Sequence, residues 1–330
     1  MIKEEYKFGC LAINTWMSNQ ITTPQKICDN LWLLVSPYKW MLHRWRNDLG
    51  RFRAKEFEQT NCIILVTKPA QHIDLLDHDN KVLERNVLSI YYALLLSGVA
   101  RHSEPGFILT GSNKKGQKDV KSYTPLLAHR KAGKTLAKAI EIATVQDAVC
   151  LAKILSGIYL TKNKYSRIKK GFRILIDSMR NTIALERLHQ SVRAIEAVVR
   201  PEKRRTRKHF VERCQFLIGR SRAKQNELGE IFDLRSREEH LIEVDDLLSK
   251  YGKDKIDTLI YLRAYQTEII AEKMYRKILT SQDLRRFFMD DASIKKLWNE
   301  RGQIIKRLWG TPINLDTLIS RRSGFFLRTD

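Results

Sequence analysis

Apolar positions recur at spacings of three and four through most of the second half of this chain. The clearest stretch is "NTIALERLHQSVRAIEAVVRPEK", where Leu185, Leu188, Val192, Ile195 and Val199 form one stripe along a helix that Pro201 must end. "SRIKKGFRILIDSMRN" predicts another helix, and "GKTLAKAIEIATVQDAVCLAKILSGIYLTKN" predicts two. Phe210, Cys214 and Leu217 continue the theme after a basic turn, and 256–279 and 292–308 supply long helices beyond it. The first third is patterned differently. "CIILVT" from Cys62 and "FILTGS" from Phe107 are short, apolar and β-branched, and predict strands. "QKICDNLWLLVSPYKWMLHRW" carries Ile27, Leu31, Leu34, Tyr38 and Met41 at helical spacing, although Pro37 must break or kink that helix. Residues 82–98 predict a buried helix ending at Gly98, and "GSNKKGQKDVKS" is the stretch most like a linker. The pattern predicts a mainly α protein: a smaller mixed α/β domain over 1–130, an all-α bundle over 131–310, and a tail over 311–330.

Composition adds a partner class. The 330 residues hold 60 Lys and Arg against 37 Asp and Glu, a formal charge of +23, which suits a polyanion such as nucleic acid. An apolar fraction of 43% excludes wholesale disorder. The longest uncharged run, "NVLSIYYALLLSGVA", is shorter than the ~20 residues a bilayer span needs. With no signal-peptide pattern in "MIKEEYKFGC" and five scattered cysteines (Cys10, Cys28, Cys62, Cys150, Cys214), the expectation is a cytoplasmic protein with no membrane partner, no disulfide framework and no zinc site.

Candidate chemistry is sparse. "AHRKAGKTLAKA" contains Gly133-Lys134-Thr135, but Ala128 stands where a phosphate-cradling P-loop has its first glycine. His72 and His78 with Asp74 and Asp77 read as a polar loop, and no histidine pair has metal-ligand spacing, so no cofactor or metal is expected. "RPEKRRTRKHFVER" is the densest basic cluster. Its Arg200, Lys203, Arg204, Arg205, Arg207 and Lys208 have the fork or point charge that phosphate oxygens attract. Downstream, "IFDLRSREEHLIEV" sets Arg235 and His240 five positions apart. On a continuous helix they would stand about 7.5 Å apart in rise and about 140° in azimuth, flanking a groove. Such a pair suits metal-independent RNA cleavage: the histidine handles the 2′-hydroxyl or leaving-group proton, and the arginine holds the scissile phosphate. Two ion pairs explain the same letters otherwise, Arg235 with Glu239 at i,i+4 and Arg193 with Glu196 at i,i+3.

"LERLHQSVRAIEAVVRP", "FVERCQFLIG" and "LGEIFDLRSREEHL" together resemble the HEPN superfamily, in particular its ApeA-like branch, over roughly residues 140 to 300. The resemblance implies a helical bundle with an R-x(4–6)-H signature, matched here by Arg235 and His240. Ser236 stands where the superfamily often has Asn, Asp or His, and would position the pair. Arg187, Arg193 and Glu196 fall on the helix that resembles the branch's "R…R-x-x-E" pattern, and with Glu239 would support the site. The implied activity is a metal-independent endoribonuclease, a bacterial anti-phage or toxin effector, whose composite site needs two copies of the motif. RNA is the implied partner, bound through the basic run, and the implied assembly is a homodimer or a subunit of a larger complex. Glu238 and Glu239 beside His240 depart from an anion-binding surface. They fit equally a catalytically silent, RNA-binding HEPN-like subunit.

Overall fold

The computed structural model describes residues 5–15, 21–35, 45–69, 78–99, 106–114, 117–127 and 139–318. The chain divides into two compact units, Met1–His129 with Ala137–Gly157, and Arg130–Leu136 with Ile158–Asp330.

The first unit is built on a six-stranded antiparallel sheet ordered β2-β3-β4-β1-β5-β6. Strand β1 (Tyr6–Ile13) is central, pairing with β4 (Cys62–Pro69) on one side and β5 (Phe107–Lys114) on the other. All eight of its residues are buried, which requires cover on both faces. Phe8, Cys10 and Ala12 pack with Phe57 and Leu49 of α1 (Trp45–Gln59). Helix α2 (His78–Leu96) lies on the opposite face, where Gly9 leaves room for it: a Cβ there would stand 2.8 Å from a Val87 methyl. Lys7 and Lys68 both pair with Asp79 at the start of α2. Residues 137–157, which include most of α3 (Ile142–Leu160), belong to this unit, and Ser156 donates to Ser89 of α2. Among the described residues α3 is the one helix long and apolar enough to cross a bilayer, while its Val145, Ala148, Leu151, Ala152 and Leu155 are buried in the chain.

Two expectations for this unit need correction. The segment expected to carry helical spacing from Ile27 is a hairpin, β2 (Gln25–Cys28) and β3 (Leu31–Val35), turning at Asp29-Asn30. Turn-forming Asp and Asn and the pairing of β3 with β4 outweigh an apolar spacing that only resembled a helix. Pro37, Tyr38 and Met41 lie outside the described residues. The expected linker is also strand: β6 (Gln117–Pro125) returns along β5, with a register irregularity at Thr110/Gly111. Its lysines are those of an edge strand, where charge discourages further pairing. Residues 128–138, with the Gly133-Lys134-Thr135 candidate, and 70–77, with His72, Asp74 and Asp77, lie outside the described residues.

The second unit is helical: α4 (Ser166–Ser178), α5 (Ala184–Val199), α6 (Thr206–Ile218), α7 (Arg222–Glu239), α8 (Asp245–Leu248), α9 (Ile256–Thr280), α10 (Gln282–Arg285), α11 (Asp291–Asn299) and α12 (Gly302–Trp309). The chain as a whole is mainly helical, with its antiparallel sheet in the N-terminal region. The expected helix over 292–308 is broken at Glu300, whose extended backbone separates α11 from α12. Leu188, Val192, Ile195 and Val199 of α5 are buried against neighbours. Gly171 lets α4, α5 and α9 meet closely: a Cβ there would lie 2.0 Å from the Tyr275 hydroxyl and 2.5 Å from the Ala197 methyl. That hydroxyl is fixed by donating to the Ala194 carbonyl at 3.0 Å.

The core of this unit is unusually charged. Arg187 on α5 meets Glu268 of α9 at 3.4 Å, with the two side chains 4% and 0% exposed. Arg263 of α9 holds Glu230 of α7 at 2.8 Å and donates to Gln266 at 2.8 Å. Burial alone pushes the Glu230 carboxyl up, but Arg263, Lys250 and Tyr251 outweigh it and hold it below its ordinary value.

Candidate phosphate-binding seam between two helices

Helix α7 begins at Ser221, whose hydroxyl accepts from the Lys224 N–H, and it ends at Glu239. His240 is therefore its C-cap, with φ −100° and ψ 8°, and its backbone N–H is taken up by the Ser236, Arg237 and Glu238 carbonyls. Its imidazole is exposed and makes no side-chain hydrogen bond among the described residues. Leu241 follows in the left-handed region at φ 55°, turning the chain away from the helix line. Arg235 and His240 thus sit on one terminal turn, with no bond, ion pair or cavity wall joining them. Ser236, half-buried on the same turn, makes no side-chain hydrogen bond among the described residues.

Arg235 points elsewhere. Its Nη2 lies 3.0 Å from Glu196 of α5, and its Nη1 pairs with Glu239 one turn along its own helix. The guanidinium carbon stands 5.9 Å from the Phe232 ring centroid, and the Arg235 side chain is only 14% exposed. Glu196 takes Arg235 rather than Arg193. Burial raises its carboxyl above the ordinary value despite Arg235 beside it. Arg193 is exposed and has no hydrogen bond or ion pair among the described residues.

One further residue belongs to this seam. His189, Arg193 and Glu196 are spaced i, i+4, i+7 on α5 and share a face. Burial lowers the His189 pKa below its ordinary value, and Arg235 and Arg193 lower it further, against Glu186 and Glu239. Its Nε2 is buried with no hydrogen-bond partner among the described residues, and so is Nε of Arg235. The sequence signal for His189 was its position on the polar flank of the α5 stripe.

Arg187 is not at this seam. It is buried, donates to the Asn181 and Met179 carbonyls, and ties the α4–α5 turn to Glu268.

The basic run is divided. Arg207 forks onto Asp233 of α7 through bonds of 2.8 and 2.9 Å and lies over Gly229, where a Cβ would be 2.5 Å from its Nη2. Lys208 is 3.8 Å from Glu212, and Arg200 caps α5 at φ 47° within 4.0 Å of Asp291. Lys203, Arg204 and Arg205 are exposed. A cavity of about 800 Å³ opens beside them, walled by Arg205, His209, Arg213, Arg220, Phe216 and Trp298. Glu202, Glu212 and Glu300 on its wall balance its three arginines, and neither Arg235 nor His240 reaches it. Among the described residues no group of His, Cys, Asp or Glu is placed to hold a metal ion. The chain matches no protein-family model, no curated protein and no solved structure.

Proposed function

We propose that this protein acts on RNA, and that its helical unit is a HEPN-type, metal-independent endoribonuclease. In this reading Arg235 holds the scissile phosphate, His240 moves the proton, and Ser236 steadies the turn that carries both. Two copies of the motif complete a dimeric site, and Lys203, Arg204 and Arg205 guide the strand. The observation that supports it best is the setting of Arg235: a half-buried guanidinium whose fork is met by carboxylate oxygens from two helices. Carboxylate and phosphate oxygens satisfy that fork with the same bidentate geometry. The +23 charge supplies the attraction for the polymer.

A second reading is a catalytically silent RNA-binding subunit of a larger assembly. It draws on the same charge and on His240, which stands exposed at a helix end without a bond to Arg235. The two part on one experiment. Purified protein, Arg235→Ala and His240→Ala are incubated with single-stranded and structured RNA in EDTA. Cleavage by the wild type that both variants lose carries the nuclease reading. RNA bound and left intact by all three proteins moves the conclusion to the silent subunit.

A further inference from the structure

The seam between α5 and α7 holds two buried nitrogens without acceptors among the described residues, Nε2 of His189 and Nε of Arg235. Buried polar atoms are nearly always paired, so two orphans in one seam ask for a missing partner. Both atoms can donate: Arg235 always, and a neutral imidazole from one of its two nitrogens. A ligand rich in acceptor oxygens would satisfy both. The seam also has a spare cation in Arg193, exposed and without a hydrogen bond or ion pair among the described residues. What now fills the acceptor role on Arg235 is a pair of carboxylates of unequal standing. Glu196 is 17% exposed and held in the packed last turn of α5, whereas Glu239 is 41% exposed and is the last residue of α7. Only Glu239 can swing into solvent at little cost, since an exposed ion pair is worth about 0–1 kcal/mol.

We propose that Glu239 is an internal stand-in for a phosphate of bound RNA, and that when it leaves, His189 and Arg193 complete a phosphate site with Arg235. This rests on the reading of the protein as RNA-directed, and it adds a second histidine, from α5, to the phosphate contact made by Arg235. The free chain is then self-masked, because RNA must displace a carboxylate before reaching the guanidinium. A neutral His189 suits the role: it adds a hydrogen bond without a second fixed charge, and an arriving phosphate favours its protonation. The groups that face it are Arg235 and Glu239 from α7 and Glu186 and Arg193 from its own helix.

The test uses the full chain and a short single-stranded RNA, with dissociation constants measured at fixed ionic strength. Glu239→Gln keeps the side-chain size, sits at an exposed position, and should tighten RNA binding about three- to fivefold, since the masking ion pair is worth about 1 kcal/mol at most. Glu243→Gln makes the same change in net charge nearby without touching Arg235, and should alter affinity less than about twofold. Arg193→Gln should weaken binding of RNA to the Glu239→Gln protein more than to the wild type, because its site is open only there. In an NMR titration the His189 imidazole should move to higher pKa when RNA is added. Equal effects of the two glutamate changes, or an RNA-insensitive His189, overturn the proposal. Inorganic phosphate saturating the His189 shift at lower concentration than the RNA phosphates would overturn the assignment to RNA. Loss of cleavage by every protein, with the Glu239→Gln gain intact, defeats the nuclease reading alone. Cleavage with no Glu239→Gln gain defeats the masked site alone.

Discussion

Arg235 on α7 and Glu196 on α5 meet at 3.0 Å with both side chains largely shielded from water, 14% and 17% exposed. They are 39 residues apart in sequence, so the contact fixes how the two helices stand. Such a pair has to overcome its own desolvation, and the raised carboxyl pKa of Glu196 is the mark of that cost. The two partners are therefore unequal under mutation. Glu196→Gln leaves Arg235 with Glu239 and removes a desolvated charge, so it should cost under about 1 kcal/mol. Arg235→Ala leaves Glu196 half-buried and unpaired and should cost about 2 kcal/mol. Urea unfolding followed by the helical circular dichroism signal measures both; equal losses would mean that the charge on Glu196 is solvated.

The deeper pair behaves differently. Glu268 is fully buried, 3.4 Å from the equally buried Arg187. Glu268→Ala should destabilise the helical unit by about 3 kcal/mol, since it removes one member of a buried ion pair. The Asn181 and Met179 carbonyls that Arg187 also engages keep the loss from being larger. The same urea experiment reads it, and a loss below 1 kcal/mol would show that water reaches the site.

Helix periodicity was legible because α4 and α5 each bury one stripe and turn their polar residues outward, whereas α9 is buried all round from Arg263 to Glu272 and was legible by its length instead. The sheet was less so. Strand β1 is buried on both faces, so "YKFGCLAI" lacks the alternation that betrays a half-buried strand. Strand β6 is an edge strand whose charges mimic a linker, and β2–β3 is short enough for chance spacing to suggest a helix. At the seam, the Arg235–Glu239 pair could be read from i,i+4 spacing, and the structure forms it. Glu196 and His189 could not be placed beside Arg235 from sequence, because that proximity comes from the packing of α5 on α7. Local spacing favoured Arg193 as the partner of Glu196, and tertiary contact decided otherwise.

Two glycines separate strain from adjustment. At Gly171 a methyl would overlap the Tyr275 hydroxyl, itself bound to Ala194, and the Ala197 methyl on a packed helix. Neither can yield, so Gly171→Ala should cost about 3 kcal/mol, at the high end for overpacking. At Gly229 the obstacle is the far end of the Arg207 side chain, which can lift away from Asp233. Gly229→Ala should cost under about 1 kcal/mol, since the helix gains a better former as an exposed ion pair is lost. Thermal unfolding of the two variants side by side checks the ranking, and a reversal would put the helix packing in error.

The histidines of the helical unit set the slope of stability between pH 7 and 6. Burial first, and neighbouring arginines second, lower both His189 and His209 below the ordinary value of 6.5. Each is therefore easier to protonate in the unfolded chain, so folding loses stability as pH falls through 6.5 toward their folded values. The raised carboxyls of Glu196 and Glu227 act in the opposite direction, because the folded chain holds their protons more tightly. Their contribution grows only as pH drops toward their raised values, above the ordinary 4.5, so the histidines dominate the upper end of the window. Asp290, lowered chiefly by the Ser293 backbone N–H, and Asp79, lowered chiefly by Lys68, lose their contributions only below 3.8. Urea unfolding at pH 7 and pH 6 should show the helical unit weaker at pH 6, and His189→Gln should flatten that difference. An unchanged slope in His189→Gln would place the imidazole in water, away from Arg235 and Arg193.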